Sequence, residues 1–420
     1  MLNKKSVSCS IPNTTLHYIF ILIFTNLALF SIVLKYIPIN SFYLTFAFSM
    51  LYVTFLNKWH LFLNLLRKEI LLLSLITIYS LAILFFKQSD FQIVKIPILL
   101  FGFLVTGFFI ISFCLKYNFD PIKLFQGVIF INALLTILLS LSPDIYNVFS
   151  IIIDFKYANS EASSIVDDNR GFGLMSRGPY YAYPILIGFS IIIRLERIEK
   201  SFYGYIKALP VLLMSLIAIG INARIGFVPV IVYMIFFIFS KLSLKRIIIT
   251  GFLISLFIYF LTQGFIVINE KMEWVIAPFI WAYNFLANNG GEIGHIRSLL
   301  GNFIFFPERL NDLIFGTGAN VFNGSFHPDS GSRHSDVGFI RQIFFGGITY
   351  VILIFLFIFY LTKNNYFISR IQKRNYFLAS IFILSLIICN IKGSIFQPNC
   401  VMFFLLFIKT NSLYKSIYKK

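Results

Sequence analysis

The chain has 420 residues, of which 58% are hydrophobic, 53 are Phe and only 12% are charged, and its net charge is +18 at neutral pH. This composition leaves no soluble domain long enough to stand alone, because apolar runs recur at close to the ~20 residues that one bilayer crossing requires. A nucleic-acid reader is excluded too, since the basic residues are spread over short connections rather than gathered in one patch with base-stacking aromatics.

Apolar runs separated by charged or Pro/Asn-containing breaks predict helices at 16–37, 40–57, 70–86, 93–115, 123–142, 179–194, 205–221, 225–240, 247–268, 338–361, 376–391 and 395–411, about 12 crossings in all. No small-residue cleavage region follows the first run, which is read as a retained helix. The expected architecture is an all-α polytopic membrane protein, residues 1–420 forming a single integral membrane domain with both termini cytoplasmic. On that topology the inner side receives 22 of the 35 Lys and Arg and only four acids (Glu69, Asp120, Glu196, Glu199), an excess of 18, and the outer side is neutral with 13 of each sign. This is the positive-inside bias, and one helix more or fewer would scramble it. The Phe and Tyr excess is read as mostly lipid-facing. The four cysteines form no metal-ligand spacing and no pair placed for an outer disulfide.

Two outer connections are long. The first, 143–178, contains Asp167-Asp168-Asn169-Arg170-Gly171 and Arg177-Gly178-Pro179. The second, 269–336, lies between the ninth and tenth helices and contains the apolar stretch Trp274 to Phe285, then Arg297, Phe315-Gly316-Thr317-Gly318 and Ser332-Arg333-His334-Ser335-Asp336. Long connections with apolar segments of their own fold over sites, so both are expected to cap the outer mouth. Two tight junctions, Asn222-Ala223-Arg224-Ile225-Gly226-Phe227 and Asn390-Ile391-Lys392-Gly393, pin a cation at the outer rim.

Each of these residues has a plain structural role open to it. A rim arginine snorkels to headgroups, Ser335-Asp336 caps the helix that follows, and Gly316-Thr317-Gly318, with no Lys-Ser/Thr after it, is a tight turn and not a nucleotide loop. Their convergence favours chemistry: Arg224, Arg297, Arg333, Arg341 and Lys392, with Arg170 and Arg177, all fall at the outer boundary of a chain that otherwise economises on charge. Such a set suits a lipid-linked diphosphate, which guanidinium groups grip bidentately while its tail stays in the bilayer. If the diphosphate departs in a glycosyl transfer, the same cations stabilise the charge developing on it. An acceptor hydroxyl then needs a base, and His334 or Asp336 is of the right type. No metal and no other cofactor is demanded.

At these residues the chain resembles the O-antigen and polysaccharide polymerases of the Wzy type, within the O-antigen ligase/polymerase superfamily. The resemblance spans roughly 205–395 and rests on the Asn222–Phe227 junction, on Leu313-Ile314-Phe315-Gly316-Thr317-Gly318, on Ser335-Asp336-Val337-Gly338-Phe339-Ile340-Arg341 with Gly346-Gly347-Ile348, and on Asn390–Gly393. It implies a glycosyltransferase with a GT-C-like fold in the inner (cytoplasmic) membrane, acting on undecaprenyl-diphosphate-linked oligosaccharide at the periplasmic face, alongside membrane lipid and a chain-length regulator protein of the same pathway. Under it Arg224 and Arg297 bind diphosphate, and His334 and Asp336 assist the acceptor. The spacing of Arg177 to Gly188 matches an Arg-then-Gly pattern of some polymerases, although the large loop lacks its counterpart. Ser335 follows His334 where ligases have His-Asn, which favours polymerase over O-antigen ligase. A flippase is the rival from another class; it is expected to line a central cavity with charge, whereas these helix centres are nearly free of it.

Overall fold

A computed structural model describes residues 12–87, 91–155, 173–175, 181–198, 202–240, 305–319, 335, 337–363 and 372–418. Helices dominate: α1 (Pro12–Phe30), α2 (Ser41–Phe55), α3 (Trp59–Leu65), α4 (Arg67–Lys87), α5 (Gln92–Lys116), α6 (Pro121–Leu141), α7 (Pro143–Ile152), α8 (Ala182–Arg197), α9 (Phe202–Asn222), α10 (Phe227–Ser240), α11 (Leu310–Phe315), α12 (Gly338–Thr362), α13 (Gln372–Lys392) and α14 (Cys400–Tyr418). Four stretches, Arg67–Lys87, Val94–Lys116, Pro121–Leu141 and Gly338–Thr362, are long and apolar enough to cross a membrane, and five shorter helices are strongly apolar. The chain is a multi-pass helical membrane protein. The expected span at 247–268 lies outside the described residues, as do Arg170, Arg177, Arg297, Arg333, His334 and Asp336.

Three departures from the expected elements have local causes. The run at 16–37 is not one helix: α1 stops at Phe30, Ser31 takes a positive φ of 49°, and β1 (Val33–Leu34) pairs antiparallel with β2 (Ile37–Asn40). Pro38 and the β-branched residues beside it suit a hairpin better than a helix end, and Asn40 Oδ1 then caps α2 by accepting from Phe42 N at 2.9 Å. The last span begins later than 395, because Asn399 Oδ1 accepts from Val401 N (3.0 Å) and Met402 N (3.1 Å) and so sets the start of α14 beyond Pro398. The first long connection is partly helical: Pro143 follows the cap residue Ser142 and opens α7, which buries none of its side chains. Its exit docks on the hairpin, with Lys35 N donating to Ile152 O at 2.9 Å and Asp154 N to Val33 O at 2.8 Å.

Phenylalanine builds the interior more than it coats the outside. Among the described residues more Phe side chains are buried than exposed, and Phe30, Phe62, Phe108, Phe109, Phe125, Phe189, Phe357, Phe382, Phe403 and Phe404 are almost wholly enclosed. Tilted and edge-on pairs such as Phe24–Phe109 (4.7 Å) and Phe103–Phe403 (5.2 Å) lock α1 and α14 onto the central α5. Where lipid is as apolar as the side chains, this interdigitation, rather than escape from water, holds helices together.

Polar contacts sort to the two ends of the bundle. At one end Arg197 donates to Asp120 at 2.7 Å, Glu196 accepts from the Tyr233 hydroxyl at 2.7 Å, and buried Lys409 donates to Tyr360 O (3.1 Å) and Lys363 O (3.0 Å), which closes the C-terminus of α12. Burial works to raise the Asp120 carboxyl, but the Arg197 hydrogen bond and charge, with the Ile122 N–H and the Lys415 charge, outweigh it and hold the group below its ordinary range. At the other end lie the C-termini of α4 and α13, the N-termini of α8 and α12, and the α9–α10 corner.

Candidate functional site

The first turn of α8 is the hub of this second end. Tyr181, just before the helix, donates its hydroxyl to Ser394 O at 2.8 Å and lies flat against Gly393, so the α13–α14 corner seats on it. Gly338, the first residue of α12, meets the same corner so closely that a Cβ there would sit 2.7 Å from Asn390 O and 2.8 Å from Gly393 O. Beneath it runs a buried amide network. Asn390 Nδ2 donates to Gln342 Oε1 (3.2 Å), Gln342 Nε2 donates to Asn390 Oδ1 and to Ser394 Oγ (both 3.4 Å), and Ile395 N donates to Asn390 Oδ1 (3.1 Å). Polar groups in a bilayer-facing bundle need such mutual satisfaction, and here it fixes α12 and α13 in one register.

The Arg224 corner joins the hub from the other side. α9 ends at Asn222, Arg224–Gly226 forms one 3₁₀ turn, and α10 starts at once. Gly226 presses on Pro184 of α8, where a Cβ would lie 2.5 Å from Pro184 O, and Gly188 one turn later meets Gly226 O as closely. Asn222 is fully buried, yet neither of its amide atoms has a hydrogen-bond partner among the described residues. A native orphan of this kind requires an explanation.

The Gly316-Thr317-Gly318 motif is a backbone splice. α12 breaks at Gly347, whose φ of 68° and ψ of −175° only glycine tolerates. Its freed carbonyls are satisfied by the motif: Thr317 N (2.7 Å) and Thr317 Oγ1 (2.9 Å) donate to Phe344 O, Gly318 N donates to Phe345 O (3.1 Å), and the Tyr79 hydroxyl donates to Gly346 O (2.8 Å). Thr349 Oγ1 returns a bond to Ile314 O at 2.9 Å, and Lys87 pairs with Asp312 at 2.7 Å. The motif pairs with α12 rather than turning back on itself, so the expected tight turn is not what it forms, and the two glycine motifs prove to be one structural unit. Ser335 likewise performs a turn role, its Oγ accepting from Val337 N at 3.2 Å ahead of α12.

Of the cations expected to converge, the backbones of Arg224 and Lys392 and the half-buried Arg341 are placed at this end, the Arg224 and Lys392 segments against the α8 hub and the start of α12 joined to it through the α13–α14 corner. The remaining predicted residues, Arg170, Arg177, Arg297, Arg333, His334 and Asp336, lie outside the described residues. Sequence reasoning missed Asn132, Tyr181 and Gln342, and it quoted Asn222 in the Arg224 junction without giving it a role of its own. Three of these four are amides in or at the edge of apolar runs, and the cost of burying such groups in a bilayer was the signal that would have found them. Among the described residues no three His, Cys, Asp or Glu side chains gather as metal ligands do. Compared with known proteins, the sequence matches no family model and no curated protein.

Proposed function

We propose that this protein polymerises undecaprenyl-diphosphate-linked glycan repeats at the periplasmic face of the inner membrane, as a glycosyltransferase of the O-antigen polymerase type. The observation that supports it best is the packing of three cation-bearing segments, the Arg224 corner, the start of α12 with Arg341 and the end of α13 with Lys392, around one hub at the lysine-poor end of the bundle. That end is read as periplasmic, because the end carrying Arg197, Lys363, Lys409 and Lys415 has the basic excess of a cytoplasmic face. In this reading the donor's diphosphate rests at the rim and its polyprenyl tail in the bilayer. The acceptor unit's hydroxyl oxygen bonds to the donor's anomeric carbon as the bond from that carbon to the diphosphate oxygen breaks. The hydroxyl proton passes to His334 or Asp336, and the diphosphate leaves with the electron pair, its charge met by the arginines. The unsatisfied Asn222 amide is read as a further contact to a diphosphate or sugar oxygen.

The test is chain extension in cells carrying Arg224→Ala, Arg224→Lys or Arg341→Ala. Polymer length should collapse in the alanine variants at normal membrane levels, and lysine should restore only part of it, since a point charge replaces a two-pronged donor. Full-length polymer from both alanine variants would overturn the reading. Gene deletion separates ligase from polymerase: single repeats on the lipopolysaccharide core mark a polymerase, and bare core a ligase.

A further inference from the structure

Residues 173–175, from the first long connection, descend into the bundle. Leu174 N donates to Asn132 Oδ1 at 2.8 Å, and Asn132 lies in the middle of α6, nine residues before Leu141, or about 14 Å below the end of that helix at 1.5 Å per residue. Met175 is buried in the main hydrophobic cluster, and Leu174 packs against it. Gly173 has φ +59°, and a Cβ there would lie 2.6–2.8 Å from the Asn132 amide, so only glycine fits against that side chain. Asn132 is wholly buried, and its Oδ1 accepts the Leu174 N–H. A backbone N–H at that depth has no water to turn to, so this amide is what allows the loop to enter the bundle.

From this geometry we infer that Asn132 is a positioning residue: it clamps the Gly173–Met175 turn inside the bundle, beside the first turn of α8 on which the Arg224 corner seats. The clamp lies close to the hub. Tyr183 of the first α8 turn takes part in the same polar patch, accepting from Thr136 Oγ1 at 3.4 Å, while Tyr181 holds the Ser394 corner. Loss of the clamp frees the Gly173–Met175 turn from its place beside Tyr183 without touching the Arg224 corner. The bearing on glycan transfer rests on the function proposed above; the clamp itself does not.

The experiment places Met175→Cys in the full chain with Cys9, Cys114, Cys389 and Cys400 replaced by Ala, and reads labelling by a membrane-impermeant maleimide in spheroplasts beside extension of a lipid-linked repeat. The starting protein should be protected. Asn132→Leu, which keeps the volume and removes the acceptor, should raise the labelling rate at least about tenfold and lower extension by about tenfold to a hundredfold, the range expected when a site group is misplaced by an ångström. Asn132→Asp, which keeps an acceptor oxygen in place, should restore protection and most of the extension, and Gly173→Ala should reproduce the leucine result. Unchanged labelling in Asn132→Leu overturns the clamp. Faster labelling with undiminished extension overturns its role at the site. If the parent protein extends no repeat, the proposed function fails instead, and the labelling still decides whether the clamp exists.

Discussion

Replacing Asn390 by Ala removes the centre of the amide network that joins α12 to the α13–α14 corner. Three hydrogen bonds converge on that side chain, at 3.1, 3.2 and 3.4 Å, and the residue is fully buried. At the ~0.6 kcal/mol typical of side-chain hydrogen bonds in membrane proteins, their loss alone costs about 2 kcal/mol. Two buried groups are also stranded, Gln342 Oε1 and the Ile395 N–H, at about 1–3 kcal/mol each. The stranding cost already contains the loss of the bonds those groups made, so the expected destabilisation is about 2–6 kcal/mol. The double variant Asn390→Leu/Gln342→Leu removes donor and acceptor together and should cost much less than the two single changes combined. Reversible denaturation in micelles, followed by tryptophan fluorescence or circular dichroism, measures all four corners of the cycle. A loss under ~1 kcal/mol in Asn390→Ala, or strict additivity in the double variant, would refute the claim that this network sets the register of the site.

Thr317→Val should lower the thermal stability of the detergent-solubilised protein by an amount corresponding to about 1–2 kcal/mol, because it strands the Ala319 N–H and takes one of the two bonds to Phe344 O, the Thr317 N–H keeping the other, while Thr317→Ser should not; equal melting of the two would show that the splice does not depend on the hydroxyl. Asn222→Leu should leave stability unchanged or raise it, since an unpaired amide is lost, yet reduce glycan extension; undiminished extension would remove Asn222 from the site. The Asp120 carboxyl is depressed by Arg197, so its contribution to stability is present above the unfolded value and is lost as pH falls through the lower folded value. A denaturation series below about pH 4, near the ordinary aspartate range, should show this acid-side loss in the parent and a flatter profile in Arg197→Gln; identical slopes would contradict the pairing.

Much of the fold was legible because hydropathy states the length and order of apolar runs directly, and each predicted span that falls on described residues carries a helix. Its errors lie where a backbone device cuts across an apolar run. The 16–37 run hides a hairpin because Val, Ile and Leu serve strand and helix alike, and the start of α14 is set by the Asn399 cap rather than by hydropathy. Period and composition were equally blind to the break at Gly347, which exists only because Thr317 and Gly318, about thirty residues earlier, satisfy the carbonyls it frees. At the candidate site, charge at the rim is visible in sequence because charge is scarce there. Asn132 and Gln342 were passed over because an isolated amide in a long apolar run changes a hydropathy average very little, although burying one in a bilayer is what demands a partner. The meeting of Gly226 with Pro184 and of Gly338 with Asn390 is a matter of tertiary packing, and no single-chain pattern encodes it.

Incubation of the purified protein with a synthetic undecaprenyl-diphosphate-linked repeat in chelator-treated buffer, with products resolved by mass, tests the central claim most directly. The expected product is a ladder of dimer, trimer and longer lipid-linked glycans with one undecaprenyl diphosphate released per linkage, abolished by Arg224→Ala. Unreacted monomer from folded protein, or a ladder that Arg224→Ala leaves intact, would contradict it.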